Sequence, residues 1–290
     1  MSFNNKSRLD PNQVEDRRGQ RVGRTLAVGG GGLTLVIVVV AMIFGVDLTS
    51  LTDAQPVQYS NESPGEVSNL QAECQTGADA NERQDCRIVG FVNSIQSFWA
   101  EEFVRLGGEY TPADTVLFTE ATEAACGYAS AAMGPFYCPR DQKVYLDLDF
   151  FNDLMARLGA QGGSFAEAYV LSHEYGHHVQ NLLGLLSKSS NATGPESEAV
   201  EIELQADCLA GIWFFHATST GYLTQLTDQD IAQSLDAAAS VGDDRIQRQT
   251  QGYVSPESWT HGSSEQRQLA LKDGLQSGDI NTCESPGWTP

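Results

Sequence analysis

Basic residues are scarce in this chain: 17 Lys and Arg stand against 38 Asp and Glu in 290 residues, a net charge of -21. Phosphate recognition needs clustered Lys and Arg, so a nucleic-acid partner is excluded. The acidity itself fits a well-solvated surface. No CxxC pair occurs, and no His lies at zinc-finger spacing from a cysteine, which removes zinc-ribbon and zinc-finger sites. No internal repeat divides the chain. Hydrophobic residues make up 41% of it, enough for one good-sized core.

The few basic residues are unevenly placed. Lys6, Arg8, Arg17, Arg18, Arg21 and Arg24 fall within residues 1–24, where only Asp10, Glu15 and Asp16 oppose them. Charge is then missing altogether over residues 25–46. An uncharged apolar run of about 20 residues spans a bilayer as a helix, and glycines such as those at 29–32 are tolerated there. A cleaved secretory signal is the competing reading. A retained anchor, with the preceding basic residues in the cytoplasm, implies a cell-membrane protein whose remainder lies outside. The expected organisation is a cytoplasmic tail at 1–24, a transmembrane helix at 25–46, a linker at 47–70 that holds Ser, Thr, Pro, Gly, Asn and acids, and an extracytoplasmic domain at 71–290.

Outside the cytoplasm, six cysteines suggest disulfides. Cys74 with Cys86 and Cys126 with Cys138 are close in sequence, which would leave Cys208 with Cys283. Other pairings of the six remain open.

Within the domain, apolar residues at Ile88, Phe91, Val92, Ile95 and Phe98 predict a helix over 85–106. Alternation over 143–151, with Val144, Leu146, Leu148 and Phe150 on one face, predicts a half-buried strand. The turn residues Pro139, Arg140 and Asp141 make residues 136–138 its hairpin partner. Ser164 with Glu167 reads as a capping box opening a helix that runs to Gly184. Further helices are expected over 198–216 and from Ser263, where Gln266 completes a second capping box.

The chemistry-bearing segment is His173-Glu174-Tyr175-Gly176-His177, an HExxH pattern on the helix opened at Ser164. Residues four apart lie about 40° apart on a helix, so His173 and His177 can reach one metal ion. Glu174 stands beside them as a general base for water that zinc acidifies. A zinc ion needs a third protein ligand. The metzincin pattern would put Gly at 180 and His at 183; this chain has Gln180 and Leu183. Glu203 is the assigned third ligand, with Glu196, Glu198 and Glu201 as rivals. Asp207 shares a face with Glu203 and would orient a ligand histidine. His178 points about 140° away from His173 and reads as structural, as does His216. His261, just before a helix start, could donate to a developing oxyanion, with an ordinary loop histidine as the alternative. Arg267 could hold the site's carboxylates.

Three segments, His173 to Gln180, Glu203-Leu204-Gln205-Ala206-Asp207-Cys208 and His261-Gly262-Ser263-Ser264-Glu265-Gln266-Arg267, together resemble the bacterial neutral zinc metallopeptidase family. So does Val14-Glu15-Asp16-Arg17-Arg18-Gly19 ahead of one apolar run. More distantly, the pattern is similar to membrane zinc proteases that process prenylated proteins. In those the Glu of Glu-x-x-Ala-Asp is a metal ligand, which supports Glu203. They carry Pro after the late His, where this chain has Gly262. The resemblance implies an α+β zincin-like domain, mainly helical with a small sheet, preceded by one transmembrane helix. It implies Zn2+ as cofactor and a protein or peptide as substrate. Two other classes remain open: a zinc-binding scaffold without turnover, and a zinc amidase acting on cell-wall peptides.

Overall fold

The computed structural model describes residues 2–20, 69–186 and 192–283. Its longest helix follows from periodicity. Over residues Gln84–Arg105 (α3), after short helices Leu70–Glu73 (α1) and Gly77–Glu82 (α2), Ile88, Phe91, Val92, Ile95, Phe98 and Trp99 recur at helical spacing, and all are buried. Phe91 packs edge-on against Phe165 and Trp213 from two later helices, at ring-centroid distances of 6.0 and 6.2 Å. This aromatic cluster is the centre of the main core.

A four-stranded sheet lies beside it in the order β1-β2-β6-β5. Strands β1 (Val14–Asp16), β2 (Thr115–Phe118) and β6 (Lys143–Asp147) are parallel, and β5 (Phe136–Cys138) closes one edge antiparallel to β6. Leu117, Val144 and Leu146 face the main core. Val116, Phe118, Cys138 and Tyr145 form a second cluster on the opposite face. That face was expected to meet solvent. It is covered instead, because Phe136 stacks on Tyr145 at 4.9 Å and the Cys126–Cys138 disulfide draws in the chain beside the hairpin β3 (Ala121–Ala124) and β4 (Gly127–Ser130). The expected strand over 143–151 ends at Asp147. Its last residues belong to the helix Phe150–Leu158 (α4), which closes at Gly159 in a left-handed turn.

Helix Ser164–Leu182 (α5) runs through the middle of the molecule and is buried on nearly every side. Glu198–His216 (α6) and Asp228–Ser240 (α7) pack on it, and Ser264–Ser277 (α9) and Asp243–Thr250 (α8) pack on those in turn. The Ser263–Gln266 capping box forms. The one expected at Ser164 does not. Glu167 is taken by Arg87 at 2.6 Å and Gln84 at 2.9 Å, so a tertiary ion pair outcompetes the local cap. All three expected disulfides are present, Cys74–Cys86, Cys126–Cys138 and Cys208–Cys283.

One expectation about organisation changes. Residues 2–20 are not a tail apart from the domain. They supply β1, and Phe3, Leu9 and Val14 are buried in the main core. A polar segment whose strand is three residues long has no local periodicity by which to be recognised; its partners lie some hundred residues on. The apolar run at 25–46 lies outside the described residues, and among those described no helix is long and apolar enough to cross a membrane.

Candidate metal centre

His173, Glu174 and His177 sit one turn apart or less on α5, with Glu203 facing them from α6. The helices can approach because Gly176 lies at their contact: a Cβ there would come within 2.8 Å of the Ala206 carbonyl oxygen. Glu203 Oε2 is 3.2 Å from His173 Nε2, and Glu203 Oε1 is 3.4 Å from His177 Nε2. One donor atom from each of the three residues lies within 4.8 Å of the others, so the trio could hold one metal ion. Glu196 and Glu198 are exposed and Glu201 is half-buried, and all three lie outside this group.

The outer ring nitrogens are engaged, which orients the imidazoles. His173 Nδ1 meets Asp207 Oδ1 at 2.8 Å, and His177 Nδ1 meets Gln180 Oε1 at 2.8 Å. Carboxylate and amide oxygens only accept, so both Nδ1 atoms carry hydrogen, and Nε2 is the nitrogen on each ring that gives up its proton for ligation. That tautomer is the one metal ligation requires. Asp207 is fully buried and also accepts from Tyr169 Oη at 2.6 Å and from Arg267 Nε at 2.8 Å. Gln180 donates to the Ile202 carbonyl at 2.7 Å and to Gln205 Oε1 at 2.9 Å, and Gln205 in turn reaches the Cys283 carbonyl at 2.9 Å. The Cys208–Cys283 disulfide therefore sits behind the support of His177.

Electrostatics follow the same contacts. Burial disfavours the His173 imidazolium, yet Asp207 and Glu203 outweigh it and push its pKa up to about 10. Burial raises the Glu174 carboxyl above its ordinary range, with the two histidines pulling the other way. Glu203 is held well below its usual range despite burial, chiefly by His177 and His261. His261 is raised against its burial by Glu203 and by Asp243.

His261 feels the charge of Glu203 from a loop clasped by Asp243 at the start of α8. Asp243 Oδ2 accepts from the backbone N–H groups of Thr260, His261 and Gly262 at 2.8, 2.7 and 3.1 Å. Its other oxygen is 3.4 Å from His261 Nδ1. Arg267 joins Asp207, and its Nη2 approaches Glu203 Oε2 to 3.9 Å. Five of the residues singled out in the sequence, His173, His177, Glu203, Asp207 and Arg267, are thus joined by direct contacts, with Glu174 next to His173 on α5. His178 lies elsewhere, bonded to Tyr137 Oη at 2.9 Å and to the Thr111 carbonyl at 2.7 Å, and His216 stacks on Phe98.

Gln180, Tyr169 and Asp243 were missed. Gln180 carried a usable signal, since it lies three residues beyond His177 on the same helical face. Tyr169 stands four residues before His173 and could have been found likewise. Nothing local marks Asp243, whose partners lie across a long loop.

The donor set fits zinc: two imidazoles and a carboxylate, each histidine held by an acceptor behind it. Similar chains are uncharacterised. Proteins of Mycobacterium tuberculosis and Mycobacterium bovis are each 46% identical over 255 residues, 84% of this chain and 84% of theirs. The Escherichia coli protein YpfJ is 39% identical over 295 residues, 97% of both chains. No solved structure matches. With a family model matching residues 1–286, the chain belongs to the family described as "Putative neutral zinc metallopeptidase".

Proposed function

We propose that the protein is a zinc-dependent peptidase acting on protein or peptide substrates outside the cytoplasm. The observation that carries this is the convergence of His173 Nε2, His177 Nε2 and the Glu203 carboxylate beside a buried Glu174. His173, His177 and Glu203 would hold the ion. Zinc bound there supplies Lewis acidity, polarising a scissile carbonyl and making water acidic at neutral pH.

The chain's own groups do the rest. Glu174 takes the proton of the attacking water and passes it to the leaving amine. Burial raises its proton affinity toward that of a base that can also act as an acid. His261 donates toward the oxyanion as it develops. Asp207 and Gln180 keep the ligand imidazoles turned inward, and Arg267 neutralises Asp207. The substrate adds as a strand to β5, the last strand on its side of the sheet among the described residues. Tyr137 of that strand is joined to α5 through His178 and through Asn181, at 2.9 and 3.0 Å, so strand and metal helix keep a fixed spacing.

An oxidising compartment is supported by the three disulfides. The uncharged, apolar run at 25–46 supports association with a membrane.

The test is Glu174→Gln. The variant keeps its zinc and loses about two to four orders of magnitude of cleavage of a peptide library, the usual size of a general-base contribution. Cuts that persist at the wild-type rate would remove Glu174 from the mechanism. A folded, zinc-loaded wild type that cuts nothing would favour a scaffold.

A further inference from the structure

The N-terminal segment is bound to the domain from Ser2 to Arg18. Phe3 is 3% exposed, packs on Phe91 at 4.9 Å, and sits over Gly90, where a Cβ would come within 2.4 Å of its ring. Asn81 clasps the Phe3 backbone, accepting from its N–H at 2.7 Å and donating to its carbonyl at 3.0 Å. Asn93 clasps Asp10 in the same way, at 2.7 and 3.0 Å. Between them, Leu9 N–H donates to the Gln75 carbonyl and Gly77 N–H to the Ser7 carbonyl. Val14, Glu15 and Asp16 then pair in register with Thr115, Val116 and Leu117. Lys143 holds Glu15 at 2.8 Å, and Arg18 holds Asp85 at 3.1 Å.

We infer that residues 2–20 are an obligatory strand and clasp of the domain and lie in the same compartment as the metal centre. The surface formed by α2, α3 and the edge of β2 has the chain's own N-terminal segment as its partner. A single membrane crossing between Gln20 and Asn69 would put the two on opposite sides of the bilayer and break every contact above. The inference runs against the cytoplasmic N-terminus expected from the basic residues. Two of the six, Arg17 and Arg18, are engaged by Glu15, Asp16 and Asp85, so the charge that argued for retention in the cytoplasm is smaller than a count suggests. The inference does not depend on the peptidase reading.

The test uses the full chain carrying Arg8→Cys with Thr76→Cys, a pair bridged antiparallel in the structure. Such partners lie about 4.5–5.5 Å apart at Cα, within disulfide reach. A protease site is placed between residues 47 and 68. Intact cells are treated with a thiol-blocking reagent, and the extracted protein is cut and run without reductant. The two pieces stay joined, and separate in either single variant. Pieces that separate from intact cells, but stay joined when the same protein is purified and oxidised, would put the segments in different compartments and overturn the inference. Pieces that separate in both settings would overturn the docking itself. Val14→Cys with Thr115→Cys repeats the test at the sheet, in case Thr76 is needed to cap α2.

Discussion

Gly176→Ala should loosen the metal centre without touching a ligand. A Cβ at this position meets three atoms of Ala206 at once: the carbonyl oxygen at 2.8 Å, Cα at 3.0 Å and Cβ at 3.2 Å. Ordinary contact begins near 3.4 Å, so α5 and α6 must part by about half an ångström, and two of the three opposing atoms are backbone that cannot rotate away. Alanine gains about 0.8–1 kcal/mol over glycine in a helix interior. Overpacking costs about 1–3 kcal/mol. The net expectation is a loss of about 1 kcal/mol in stability. The same separation widens the gap between the histidines of α5 and Glu203 of α6, now 3.2 and 3.4 Å, and each 1.4 kcal/mol needed to close it again around an ion is about a tenfold loss in affinity. Chemical denaturation of the metal-free protein gives the first quantity, and zinc competition against a chromophoric chelator gives the second. Adding Ala206→Gly removes only the Cβ contact, so it should restore only part of both. A Gly176→Ala variant of equal or greater stability, with wild-type zinc affinity, would refute the account of glycine as the spacer.

Two further outcomes follow from the charges. Asp207→Ala leaves the Arg267 guanidinium, 3% exposed, without its carboxylate and should cost about 3–5 kcal/mol. Asp207→Ala with Arg267→Leu should recover much of that loss in a denaturation experiment, but not the orientation of His173, so zinc affinity stays about 10–100-fold down. Glu15 is held down to about 2 from its ordinary 4.5, first by its hydrogen bonds to Arg17 and then by Lys143. A lowered carboxylate contributes its stability above pH 4.5, and that contribution fades as pH falls toward 2. Carboxyl chemical shifts followed through acid should show a midpoint near 2. A midpoint at 4.5 would mean that neither the Arg17 pair nor the Lys143 pair holds Glu15 in solution.

Much of the metal centre was legible because its geometry is local. The angle between residues four apart on a helix is the same in any fold, so His173, Glu174 and His177 could be placed together without knowing what surrounds them. Glu203 and Asp207 were legible by the same spacing, once a second helix with small residues was recognised at 198–216. Capping at Ser263 is also local, and the structure keeps it. The cap expected at Ser164 obeyed the same pattern and failed, since Arg87 from α3 reaches Glu167 first. Pattern alone has no means of ranking a cap against an ion pair some eighty residues away.

What the sequence determined by itself, then, is whatever a single helix or a short cysteine spacing can hold: the HExxH pair of ligands, the acidic helix that answers it, and the two twelve-residue disulfide loops. Tertiary structure decided the rest. It alone turned Gln180 into the acceptor behind His177 and brought Asp243 under the His261 loop. It also drew a charged N-terminal segment into the sheet as β1. The physical reason is common to all three. Each depends on a buried polar group finding its partner, and in a folded chain such partners are chosen by proximity in space, which local periodicity does not encode.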